Sequence, residues 1–191
     1  MRAFIAIDLP LEIKDAFRLL QEQLKNGRPD VKWVEPKNIH LTLKFLGEIS
    51  EETSTEIKKI VEEVAKENPN FQARISSAGA FPKIDFPRVI WVGVNPGGAQ
   101  ASKIAAQLEE KIAKLGIPPE EKRLFSPHIT IGRLRSNKNT QSLISGLKNA
   151  ADTLAGKNLS FLAREIIFYK STLTPAGPAY EPLSKANLAI S

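Results

Sequence analysis

The chain has no cysteine, a single methionine and only two histidines in 191 residues. Without thiols, disulfides, zinc–thiolate sites and a cysteine nucleophile are all excluded. Two imidazoles are also too few for a histidine-rich metal cluster. No apolar run approaches the ~18 residues that a membrane span needs. The opening MRAFIAIDLP is short, and Asp8 and Pro10 interrupt it, so it does not read as a signal peptide. These absences predict a cytoplasmic protein with no cofactor and no membrane partner.

What is present looks globular: 42% of residues are hydrophobic and 25% charged. This length suits one large domain or two small lobes sharing a core. The net charge of +6 and a pI near 9.5 fit a polyanionic partner such as RNA. They fit a thermophile's solvated, Lys- and Glu-rich surface equally well, so charge alone does not choose.

Periodicity divides the chain into alternating elements. AFIAIDL (3–9) reads as a buried strand, and Ile13, Phe17, Leu20 and Leu24 form one helical stripe ended by Gly27. A loop carrying Pro29 and Pro36 leads to a strand at 39–46. Ser50 then caps a helix along Ile57, Ile60, Val61 and Val64, and a strand follows at 71–77. Residues 80–88, with two prolines, read as a connection. The order then repeats: strand 88–94, a helical stripe at Ile104, Leu108, Ile112 and Leu115, strand 127–134, helix 139–155 and strand 161–169. The remainder suits a hairpin turning at Pro175–Pro178, with a last strand near 184–190. Strand–helix–strand–helix–strand thus occurs twice, which implies an internal duplication.

The two histidines occupy equivalent places in that duplication, in HLTL at 40–43 and HITI at 128–131, 88 positions apart. Side chains alternate along a strand, so His40 shares a face with Thr42, and His128 with Thr130. Leu41, Leu43, Ile129 and Ile131 turn to a core. Threonine is 8 of 191 residues. Both histidines having Thr at i+2 by chance is therefore a roughly one-in-600 event. Two imidazoles form an acid–base pair near neutral pH, and neighbouring hydroxyls can donate to phosphate oxygens. That set suits phosphodiester cleavage without a metal. The residues alone do not decide which histidine is the acid.

With these motifs and RAFIAIDLP, NIHLTLKFLGE, RVIWVGV, FSPHITIGRL and IIFYKSTLTPAGPAYEPL in view, the chain resembles the two-histidine phosphoesterase superfamily over nearly its whole length. Within it, the chain is similar to the RNA 2′,3′-cyclic phosphodiesterases, also called 2′-5′ RNA ligases. The resemblance implies an α+β fold: two pseudo-symmetric lobes of mainly antiparallel strands, with outer helices and a central basic cleft. It implies hydrolysis of RNA 2′,3′-cyclic phosphate ends to 2′-phosphates, and the reverse 2′-5′ joining of RNA such as tRNA halves. By position, His40 would be the general acid, His128 the general base, and Thr42 and Thr130 phosphate contacts.

Arg133 matches a family position and could grip the phosphate. Strict alternation from His128 turns it away, and a bulge permitted by Gly132 could return it. Lys44 lies on the His40 face by parity, where it could neutralise phosphate or simply be solvated. Phe45, at the place equivalent to Arg133, reads as core. Lys32, Lys37, Lys122, Arg123, Arg135 and Lys138 flank the motif strands and could line an RNA track. Among the aromatics, Trp91 reads as core, while Trp33 and Phe125 are open to base stacking. The expectation is a monomeric single bilobal unit over 1–191, with lobes from 1–78 and 88–170 and a C-terminal hairpin at 168–191. The alternatives are a non-catalytic module that binds nucleotides or RNA ends, and a phosphodiesterase for small cyclic phosphates or 2′-5′ oligoadenylate.

Overall fold

A computed structural model describes residues 1–118, 125–175 and 177–190. The apolar opening run forms β1 (Arg2–Asp8), and Pro10 starts α1 (Leu11–Leu24) by offering its carbonyl to the N–H groups of Ile13 and Lys14. Lacking an N–H of its own, proline loses nothing at that place. The loop expected next contains a short strand, β2 (Val31–Trp33), too brief to show a period. Then come β3 (His40–Glu48) and α2 (Glu51–Glu67), whose Ser50 cap accepts the Thr53 N–H at 3.0 Å. Such a cap contributes roughly 1 kcal/mol.

Residues 80–88 are no loop. They are the facing ends of a long hairpin, β4 (Phe71–Lys83) and β5 (Phe86–Val94), with Pro82 opposite Pro87 at a register shift. A ladder interrupted at that point does not need the donors that the prolines lack. The second half continues with α3 (Gly98–Ala113), β6 (His128–Leu134) and α4 (Thr140–Gly156). The strand expected at 161–169 is two strands broken at Arg164, β7 (Ser160–Ala163) and β8 (Glu165–Thr174). The final hairpin is longer than expected, because β9 (Gly177–Asn187) pairs with β8 from Thr174–Gly177 down to Glu165–Asn187.

The strands form two antiparallel sheets, ordered β3-β1-β8-β9 and β2-β6-β5-β4-β7. The duplication is visible in β3-β1-β8 against β6-β5-β4. Yet neither sheet comes from one half of the chain. The third strand of each repeat crosses over: β4 pairs with β5, and β8 pairs with β1. Each sheet thus takes strands from both of the stretches, 1–78 and 88–170, expected to contribute the lobes. Periodicity reports which face of a strand is buried and says nothing about its pairing partner.

Two helices cross as well. α1 follows a strand of the first sheet but packs on α4 and bonds to β6. α3 follows a strand of the second sheet but packs on α2 and β3. One continuous apolar core results, running from Ile5 and Phe17 through Ile75 and Ile90 to Phe168. No helix among the described residues is long and apolar enough to cross a membrane.

Candidate active site

The motif strands β3 and β6 belong to different sheets yet approach within 8 Å, Cα to Cα, along part of their length. A cleft of about 1040 Å³ opens over them. His40 and Thr42 line it from one sheet, Thr130 and Arg133 from the other. His128 is not itself among the lining residues. It stands two positions before Thr130, with its ring edge-on to Phe81 at 4.9 Å.

Both imidazoles are held the same way. His40 Nδ1 lies 2.7 Å from the carbonyl of Asn38, and His128 Nδ1 lies 2.7 Å from that of Ser126. A carbonyl can only accept, so each Nδ1 carries the proton and the neutral ring's lone pair sits on Nε2. Neither Nε2 bonds to a described residue. Each ring is thereby fixed in one tautomer, with Nε2 left available as an acceptor.

The surroundings of the two rings differ. His40 stacks on Phe4 at 4.7 Å and meets Tyr180 edge-on at 5.5 Å, with Tyr169 beyond at 6.5 Å. Burial in this aromatic setting pushes its pKa down to about 4, against smaller upward pulls from the Asn38 carbonyl and Asp8. His128 is also lowered, first by burial and then by the Arg133 charge, with the Ser126 carbonyl opposing. Burial likewise raises the pKa of Tyr169 and Tyr180, and for Tyr180 the charges of Arg133 and Arg2 pull the other way. Arg133 therefore acts electrostatically on both walls.

β-Bulges decide which residues after the motifs reach the cleft. On β6, Thr130 pairs with Trp91 and Gly132 with Ile90, so Ile131 is the extra residue. Parity flips there, and Arg133 returns to the His128 face, by the bulge anticipated at Gly132. On β3, Ala6 pairs with Thr42 and Ile5 with Lys44, so Leu43 is the extra residue. That flip carries Lys44 away from the cleft, contrary to its expected place beside His40. Its ammonium is buried against Glu109 of α3 at 2.7 Å. Phe45, read as core, instead lines the cleft and is 39% exposed.

Of the flanking cations, Lys32 and Arg135 line the cleft, and Arg2 joins them. Lys37 pairs with Glu35 at 2.8 Å, Lys138 is not a lining residue, and Lys122 and Arg123 lie outside the described residues. Trp33 lines the cleft, while Phe125 packs on the core. Trp91 is not core. It lies across Gly79, where a Cβ would come within 2.6 Å of its ring, and 5.3 Å from Phe81. Nothing in the sequence pattern announces the aromatic setting of His40. The alternation of Phe4, Ala6 and Asp8 beside an equally apolar Ile5 and Ile7 gave no sign that one face was a site. Among the described residues, no three His, Cys, Asp or Glu side chains gather as a metal would require.

Known proteins resemble this chain in sequence and in fold. The model of the LigT like Phosphoesterase family matches the chain twice, at residues 7–91 and 92–180, once per repeat. An RNA 2′,3′-cyclic phosphodiesterase of Methanocaldococcus jannaschii is 37% identical over 97% of this chain and 99% of its own. One of Methanothermobacter thermautotrophicus is 35% identical over 94% and 95%. Among solved structures, a Thermus thermophilus protein superposes with a TM-score of 0.80 at 28% identity, over the whole of both chains. Escherichia coli LigT complexed with 3′-AMP gives 0.77 at 26%, over 98% of this chain and 97% of that one. Two matches to one family model, each spanning one histidine motif, leave a single conclusion: the chain belongs to the LigT-like phosphoesterases of the two-histidine superfamily.

Proposed function

We propose that this protein hydrolyses the 2′,3′-cyclic phosphate ends of RNA to 2′-phosphates, by proton transfer between its two histidines. The observation that carries this reading is the matched pair of Nδ1–carbonyl bonds at 2.7 Å, which reserve both Nε2 atoms for proton transfer. The relatives that bear this activity in their names span nearly the whole chain.

In the proposed step His128 Nε2 takes a proton from water, and the water oxygen bonds to phosphorus. The bond from phosphorus to the ribose 3′-oxygen breaks, and His40 Nε2–H gives that oxygen its proton. The hydroxyls of Thr42 and Thr130 and the Arg133 guanidinium donate to the non-bridging oxygens, where charge builds up. No metal is assigned a role. A 5′-hydroxyl in place of water would give a 2′-5′ linkage by the same steps. Arg2, Lys32 and Arg135 supply charge along the cleft for an RNA backbone, more than a small cyclic phosphate would use.

Turnover of an oligonucleotide ending in a 2′,3′-cyclic phosphate, with EDTA present, tests the reading. His40→Ala and His128→Ala should each lower kcat by ~10²–10⁴-fold with folding intact. The double variant should lose far less than the product of the two. Thr42→Ala and Thr130→Ala should cost less than either. Near-native turnover in either histidine variant, or turnover abolished by chelation, would refute the mechanism.

A further inference from the structure

Each motif strand bulges three residues after its histidine, at Leu43 and at Ile131. Each bulge is met from behind by a polar side chain of the helix that crosses over from the other repeat. On β6, the Ile131 carbonyl accepts from Gln21 Nε2 of α1 at 2.9 Å and from the Val34 N–H at 3.0 Å. The same Nε2 donates to the Val34 carbonyl at 2.8 Å. On β3, the residue after the bulge, Lys44, pairs with Glu109 of α3. Gln21 and Glu109 stand 88 positions apart, as do the two histidines and the two bulged residues. The repeats thus keep a polar clamp at one place, though its chemistry differs between them.

Gln21 is only 2% exposed and shares its helix face with Ile13, Phe17, Leu20 and Leu24. An amide buried there costs free energy unless its hydrogen bonds are made, whereas a leucine would simply extend the apolar stripe. Both of its bonds go to backbone carbonyls around the bulge. Without them the extra residue has less to hold it, and the strand could relax toward regular alternation. That would swing Arg133 off the cleft face.

We propose that Gln21 is a positioning residue: its amide locks the Ile131 bulge against the segment entering β3, and this lock aims Arg133 at the substrate phosphate. The inference rests on the phosphodiesterase reading above. It extends the site to a helix that touches no substrate.

A double-mutant cycle tests it, with kcat/KM on the cyclic-phosphate-ended oligonucleotide and circular dichroism to establish folding. Gln21→Leu should lower kcat/KM by ~10-fold in the otherwise unaltered protein, and by less than ~2-fold when Arg133→Ala is already present. A merely structural role predicts the same factor in both backgrounds, and that result, or no loss at all, overturns the proposal. If Gln21→Leu does not fold, Gln21→Met removes both bonds while keeping an unbranched chain. A measurement on the unaltered protein stands apart from any variant. The Gln21 side-chain amide resonances should shift when a nucleoside 2′-phosphate saturates the cleft, and should not shift with Arg133→Ala. Resonances unmoved at saturation would also overturn it. An unaltered protein without turnover on the oligonucleotide would remove the functional reading instead, so the two failures are distinct.

Discussion

An imidazole that gives up a proton from Nε2 while its Nδ1–H stays bonded to a carbonyl must first carry two protons. His40 is in the wrong state for that when the cleft is empty. With its pKa held to about 4 by burial, it is neutral at pH 7. The proposed donor therefore has to be charged by its substrate. A phosphate arriving beside the ring adds a negative charge in a poorly solvated place, which favours the imidazolium. The sign follows: free His40 carries one proton at pH 7, bound His40 carries two, and binding takes up a proton. Titration calorimetry of a nucleoside 2′-phosphate at pH 7, in buffers of different ionisation enthalpy, should show net uptake that His40→Ala largely removes. Equal uptake in both would mean that His40 stays neutral and cannot be the donor. The pH profile of kcat should accordingly extend to higher pH than that of kcat/KM, which reports the free enzyme.

At the scale of elements, the buried Lys44–Glu109 pair makes an asymmetric prediction. The Lys44 side chain is 2% exposed and that of Glu109 37%, although the carboxylate oxygen not bonded to Lys44, Oε1, is itself buried without a hydrogen-bond partner. Glu109→Gln strands a positive charge away from water and should cost about 3 kcal/mol of unfolding free energy. Lys44→Met leaves the carboxylate on a side chain exposed enough to turn out to water, and should cost clearly less. Denaturant midpoints of the two variants check this, and the reverse order would place the burial on the wrong partner. The same pair shows where sequence reasoning stops. Strands and helices were legible because 2.0 and 3.6 periods are local, and the histidine faces were legible because His and Thr sit two apart. Facing beyond the motif depends on bulges. Gly132 advertises one, so Arg133 can be foreseen, but nothing marks Leu43, and parity alone puts Lys44 on the wrong side. Crossed strands left no trace either, since pairing at a distance has no period.

For the whole molecule, charge bears on the partner more than on the chemistry. Arg2, Lys32, Arg133 and Arg135 converge on one cleft in a chain of net charge +6. If an RNA backbone lies there, each contact displaces counterions. The slope of log Kd against log salt then counts the phosphates engaged, at ~0.7 per contact for single strands. Affinity for an oligonucleotide should fall steeply between about 50 and 200 mM salt. Affinity for a nucleoside 2′-phosphate should fall much less. A flat response from both would leave the cations to surface solvation while sparing the histidine mechanism.

The exchange of third strands sets an order of events on the ribosome. The inner edge of β1 is completed by β8, whose first residue is synthesised more than 150 positions later. β3 can reach the other edge of β1 early, but the sheet carrying His40 cannot close until residues 165–174 have been made. In the second sheet only the edge strand β7 is made that late, because β4 and β5 are consecutive and joined by a tight turn and β6 follows before it. The wall bearing His128 should therefore assemble first, and the wall bearing His40 only once β8 has been made. Until then β1 presents an apolar edge that a nascent-chain chaperone, or a neighbouring copy on the same polysome, could occupy.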